Sequence, residues 1–192
     1  MSAWITMLSD EEADAALTAA FDEARTPHGT LDNVMRVHSL RPATLKGHVT
    51  LYRAALHDPG NTLPLWLQET IASYVSALNA CAYSYANHFK NARHLMADDT
   101  KADRIEAGFK TGDFSGALDA KGAALMVYTR KLTLTPGAME EADVIALRAA
   151  GCDDGEILEA NQIIGYFAYV NRQLNGLGVT TAGDVVGYYK DA

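Results

Sequence analysis

ETIASYVSALNACAYSYANH, residues 69–88, starts on an acid, ends on a base and holds no other charged side chain. Of the 31 residues between Asp58 and Lys90, Glu69 is the only Asp, Glu, Lys or Arg, where the chain average of 21% charged would place about six or seven. A lone carboxylate in so apolar a segment is expected to be buried. Burial costs several kcal/mol unless the group is paired or neutralised, and the pKa shifts that follow are what acid–base chemistry uses.

One unbroken helix over residues 63 to 95 would hold Glu69 and Cys81 ~18 Å apart, too far to cooperate. Asn79 offers a break, because its side chain can cap a new helix starting at Ala80 or Cys81. If the chain reverses there, Glu69 lies ten residues before Asn79 and His88 nine after it, so the two face each other across an antiparallel helix pair, 64–78 and 80–96. Cys81, Ser84 and His88 fall at i, i+3 and i+7, one stripe of the second helix. In the first turn the helix dipole is expected to lower the Cys81 thiol pKa. A thiol near a base that a carboxylate orients is what nucleophilic and redox catalysis needs.

These residues resemble the alkyl hydroperoxidase D-like branch of the carboxymuconolactone decarboxylase superfamily, whose pattern is Glu, eleven residues, then Cys-x-x-Cys-x-x-x-His. Glu69, Cys81 and His88 match in type and spacing, and Ser84 stands where the pattern has its second cysteine. The segment EADVIALRAAGCDDGEILEANQIIGYFAYVNRQLNGLGV, residues 141–179, looks like the C-terminal helices of the "peroxidase-related" subgroup. The resemblance covers roughly residues 40 to 180.

It implies an all-α, alkyl hydroperoxidase D-like multihelical bundle built around the helix pair, assembled as a trimer or hexamer, with no cofactor and no metal. It also implies a peroxidase-related oxidoreductase of peroxiredoxin type, with Glu69 and His88 relaying protons and Ser84 in the peroxide-facing place. An alcohol forms no sulfenic acid, so Cys81 would reduce a small hydroperoxide alone and be restored by an external thiol reductant. Carboxymuconolactone decarboxylases share the fold without the cysteine pair. On that alternative, Glu69 and His88 move a proton on a small carbon acid or lactone while Ser84 and Tyr85 bind substrate oxygens. A third reading is a non-catalytic oligomeric binding protein, whose helix pair binds a small apolar ligand or only builds the oligomer, with Cys81, Ser84, Tyr85 and His88 as core and interface residues.

The formal charge of −8 and pI near 5.1 argue against a nucleic-acid partner. With 48% hydrophobic residues and a mean hydropathy of −0.08, the 192 residues can bury a core as one domain, 1–58 forming a helical N-terminal part and 59–180 the core. No apolar run reaches the ~18 residues of a membrane span, and Asp10, Glu11 and Glu12 lie where a leader would be basic and then apolar, so the expected location is cytoplasmic and no membrane partner is expected. Cys152, in GCDDGE, has no pattern linking it to Cys81. His38, His48, His57 and His94 show no metal-ligand spacing.

The rest reads as helices. Ser9 to Glu12 forms a capping box opening a helix to about Arg25. Residues 31–39 form a short helix, and Pro42 opens one reaching Leu56 before His57-Asp58-Pro59-Gly60. Pro64 opens the Glu69 helix, striped by Leu67, Ile71, Val75 and Leu78. Further helices are expected from Asp98 or Asp99 to Lys110, over 116–132 and 138–150, from a capping box at Asp153 and Glu156 to Asn175, and over 182–189. Asn161, Asn171 and Arg172 read as an exposed edge of the long helix, or else one of them lines a pocket or subunit contact.

Overall fold

Every residue from Leu67 to Ser76 is buried, so the helix that carries them is sheathed on all sides. The computed structural model describes residues 2–189. Among them there are helices and turns only: α1 (Ala15–Ala24), α2 (Asn33–Arg36), α3 (Pro42–Leu56), α4 (Leu65–Leu78), α5 (Ala82–Met96), α6 (Asp99–Thr111), α7 (Ala120–Leu134), a 3-10 turn (Pro136–Ala138), α8 (Glu141–Ala149) and α9 (Asp154–Leu177). The fold is all-α, as the sequence predicts.

The central helix α4 packs against α5, α7 and α9. Its small hydroxyl residues make this possible, because each hides its proton on the carbonyl four residues back: Thr70 on Trp66, Ser73 on Glu69 and Ser76 on Ala72, at 2.7 to 2.8 Å. Ile71, Tyr74 and Val75 of α4 meet Phe167 and Ile164 of α9 in the main core. Burying each such side chain stabilises the fold by about 1.5–3 kcal/mol. Leu17, Phe21, Leu45 and Val49 form a second, smaller cluster between α1 and α3.

Backbone hydrogen bonds, rather than an asparagine cap, turn α4 into α5. The Cys81 N–H donates to the Ser76 carbonyl at 2.9 Å and the Ala80 N–H to Ala77 at 3.1 Å, with Ala80 in the left-handed region at φ +50°. This is a Schellman turn made without glycine. Asn79, expected to cap α5, instead closes α4, and its side-chain amide donates to Asn171 of α9 at 3.1 Å. Cys81 itself is the residue before α5, with extended backbone.

Other expectations shift at their edges. Ser9 N–H does reach the Glu12 carboxylate at 2.8 Å, but as a turn; α1 starts five residues later than predicted, at Ala15, where Asp14 accepts the Leu17 N–H. The short helix narrows to Asn33–Arg36, while α3 matches its predicted bounds. The Asp153–Glu156 capping box is present in full. No helix forms over 182–189: Gly183 and Gly187 take φ of +92° and +88°, and the segment turns back across α2 and α5. No helix among the described residues is long and apolar enough to cross a membrane.

Candidate active site

Glu69 is completely buried in α4, and its carboxylate is satisfied from α5. His88 Nδ1 lies 2.7 Å from Oε2, and the Asn91 side-chain amide donates to Oε1 at 3.2 Å. With a carboxylate oxygen as its partner, Nδ1 carries the proton. Phe167 holds the other side of the ring edge-on, at 4.5 Å between centroids. The His88 side chain keeps 14% of its surface exposed, and Nε2 has no hydrogen-bond partner among the described residues. A buried acid thus fixes the tautomer and orientation of an imidazole whose free nitrogen can work on a substrate.

His88 lines a cavity of about 270 Å³, whose walls also include Tyr52, His57, Tyr83, Ser84, Tyr166 and Tyr188. Tyr52 O–H and His57 Nε2 are 2.9 Å apart and form a second polar pair. Burial, reinforced by the charge of Glu69, holds the Tyr52 phenol far above its ordinary pKa, so it stays protonated and can donate. Burial also lowers His57, which keeps that ring neutral. Asp32, on the same wall, is pushed up to about 6 by burial and by the neighbouring charge of Asp184. Tyr52, His57, Tyr188 and Asn91 carry no motif; the one signal for Asn91, which stands between Lys90 and Arg93, is its place about one turn beyond His88 on the same helix.

Ser84 faces this cavity, and its hydroxyl lies 2.9 Å from that of Ser76. Cys81 and Tyr85 do not face it. Both line a separate, more open cleft, with Ala80, Glu106 and Phe109. There the Tyr85 O–H donates to Glu106 at 2.6 Å, which places it away from the substrate-binding position expected for it. The expectation of an acidic thiol is also corrected: burial pushes Cys81 up, against lowering hydrogen bonds from the Ser84 backbone, the Asn171 side chain and the Tyr83 backbone. Cys81 is a free, buried cysteine, as is Cys152.

Asn171, one of the three polar residues on the long helix, is fully buried and donates to Ser76 at 3.3 Å; Arg172 is exposed, and Asn161 donates to Tyr128 at 2.8 Å. His38 and His48, on separate segments, come together with rings 4.9 Å apart, and His48 joins the cavity wall. Burial holds His48 at about 3. Among the described residues no group of three or more His, Cys, Asp or Glu is placed to hold a metal ion.

No protein-family model and no curated protein sequence matches the chain. Solved structures do. A peroxidase-related protein with an alkylhydroperoxidase AhpD core from Ralstonia eutropha JMP134 superposes with a TM-score of 0.80 at 20% identity, over 94% of this chain and 93% of that one. A peroxidase-related protein from Silicibacter sp. TM1040 gives 0.79 at 20% identity, over 95% of each chain. The debrominase Bmp8, as a cysteine-to-alanine variant in complex with 2,3,4-tribromopyrrole, gives 0.74 at 16% identity, over 92% and 90%. Nine α-helices among the described residues, packed around the α4–α5 hairpin, give this chain the alkylhydroperoxidase AhpD-like fold of the peroxidase-related proteins.

Proposed function

We propose that the protein is an enzyme that moves protons on a small, flat carbon acid or lactone held in the His88 cavity. The observation that carries this reading is the 2.7 Å contact between buried Glu69 and His88, in a cavity that Cys81 does not line. His88 Nε2 takes the acidic C–H proton of the substrate. Glu69 holds Nδ1–H throughout and stabilises the imidazolium that forms. The protonated Tyr52 hydroxyl donates to the oxygen on which negative charge develops, and His88 returns the proton to carbon. Ser84 offers a further hydroxyl to a substrate oxygen. The aromatic walls fit a planar ring, and the ligand of Bmp8, a substituted pyrrole, is of that shape.

A hydrogen-exchange assay on candidate carbon acids tests this. The protein is incubated in D2O with a panel of β-dicarbonyl compounds and lactones, such as α-acetyl-γ-butyrolactone, and loss of the acidic C–H signal is followed by NMR. Wash-out faster than buffer for the wild type and at the buffer rate for His88→Ala is the expected result; equal rates for the two across the panel end the reading.

The second reading is the peroxidase one, favoured by the place of Cys81 on the wall of an open cleft immediately before the first turn of α5. In it, the Cys81 thiolate attacks a hydroperoxide, giving a sulfenate and an alcohol, and two equivalents of an external thiol restore the thiol with release of water and a disulfide. Equal loss of an organic hydroperoxide with dithiothreitol for wild type and Cys81→Ala would dispose of it.

A further inference from the structure

Gly187 and Tyr188 of the C-terminal segment form part of the cavity wall, and the segment is tied down upon α2 and α5. Asp184 accepts the Tyr83 O–H at 2.6 Å and the Asn33 N–H at 3.0 Å, while the Asn33 side chain donates to the carbonyls of Thr180 and Ala182 at 2.9 and 3.0 Å. Gly187 N–H then donates to the Asn87 side chain at 2.9 Å, and Tyr188 N–H to the Asn91 side chain at 2.7 Å. The Tyr188 ring stacks on His57 at 5.5 Å. Tyr83, Asn87 and Asn91 recur at every fourth residue of α5 and so form one row that holds the segment down. Ser84 and His88, each one residue further on, face the cavity from the adjoining row.

Asn91 has two duties. Its oxygen accepts from Tyr188, and its nitrogen donates to Glu69 Oε1, the carboxylate oxygen that His88 does not use. A side-chain amide has one donor end and one acceptor end, so turning it over breaks both bonds at once. At 3% exposure, no bulk water replaces either partner. We infer that Asn91 is a positioning residue, which orients Glu69 only while residues 184–188 lie closed over the cavity, and that this segment is a strap the substrate must pass. The catalytic consequence rests on the acid–base reading above; the coupling itself does not.

Gly187 gives a way to lift the strap without touching Asn91. Its φ of +88° disfavours any side chain, and a Cβ there would come within 2.9 Å of the Lys90 side chain. The readouts are the His88 Nδ1–H resonance and amide hydrogen exchange, both in the full-length protein, neither needing a substrate. In Gly187→Val the Tyr188 amide should exchange at least about tenfold faster. The His88 Nδ1–H resonance should move in the direction seen with Asn91→Ala, although Asn91 is intact.

A faster Tyr188 amide with an unmoved His88 resonance would overturn the coupling. So would an Asn91→Ala protein in which His88 keeps its wild-type resonance. An unchanged Tyr188 amide in Gly187→Val would overturn the strap. Should Asn91→Ala fail to fold, Asn91→Ser and Gly187→Val compare the same two signals. A moved resonance in a protein that exchanges no substrate C–H for deuterium leaves the coupling standing and removes the acid–base reading, so the two fail separately.

Discussion

Glu69 Oε2 and His88 Nδ1 lie 2.7 Å apart although 19 positions separate them in the chain, because a turn of two residues' backbone hydrogen bonds folds α5 back along α4. The contact is buried on the acid side and open on the base side, which is the polarity a general base requires. Positioned proton transfer contributes about 10²–10⁴-fold to rate. His88→Ala should therefore lose at least about a hundredfold in the rate of C–H exchange for deuterium. Glu69→Gln keeps the shape but offers Nδ1 a weaker acceptor, and should lose at least about tenfold with the substrate's KM little changed. A Glu69→Gln enzyme with wild-type turnover would remove the carboxylate from the chemistry.

Ser84 occupies the cavity position beside His88, and Cys81 is three residues before it. Ser84→Cys accordingly places a thiol next to an oriented base while completing a Cys-x-x-Cys pair. Consumption of an organic hydroperoxide with dithiothreitol should rise well above the wild-type rate, and mild oxidation should remove two hydrogens from the intact mass as the pair closes. Exchange of substrate C–H for deuterium, which does not need sulfur, should not rise with it. A Ser84→Cys protein that consumes peroxide no faster than wild type would show that this cavity does not activate a thiol.

The hairpin was legible because Glu69 stands alone among uncharged residues, and the match of α3 to its predicted bounds shows how well Pro42 and the His57–Gly60 stop mark a helix. The direction of Cys81 was not legible. Spacing of i and i+7 puts Cys81 and His88 on one face of a regular helix, but Cys81 has extended backbone at φ −93° and ψ +91°, so helical phase does not govern where its side chain points. Asn79 misled for a related reason: its capping chemistry is local, whereas its partner, Asn171, arrives from α9. Nothing local to Gly187 or Tyr188 announces that they return to α5, because only the tertiary path brings them there.

Ala80 makes the hairpin turn at φ +50°, in a region where a Cβ costs about 1–2 kcal/mol and glycine costs nothing sterically. Glycine also gives the unfolded chain more freedom, offsetting about 0.4–1 kcal/mol of the relief. Ala80→Gly should raise stability by about 0.5–1 kcal/mol in urea unfolding, and Ala80→Val should lower it by more than that. A destabilised Ala80→Gly would mean that the Ala80 methyl group packs usefully in the second cleft, whose wall it joins.

Asp32 sets a pH dependence whose sign can be worked out. Burial, then the charge of Asp184, raises its folded-state pKa to about 6, above the ~3.9 of an unfolded aspartate. The folded state thus holds this proton more tightly than the unfolded chain does. The stability it contributes is complete below about pH 4 and is lost as pH rises through about 6, where Asp32 ionises beside Asp184. Two units correspond to about 3 kcal/mol, and solvent screening of a half-buried side chain reduces this to about 1 kcal/mol. Asp32→Asn removes the titration while keeping the size and polarity. It should be more stable than wild type by about 1 kcal/mol at pH 8, with the difference shrinking through pH 6 and vanishing near pH 4. The titrations of His48 and His57 are common to both proteins and cancel in the comparison to first order, whereas Asp184, coupled to Asp32, contributes to the difference being measured. Urea unfolding of the pair at pH 4, 6 and 8 measures the difference directly, and a gap that stays constant over that range would show that neither burial nor the charge of Asp184 raises the Asp32 carboxyl in the folded state.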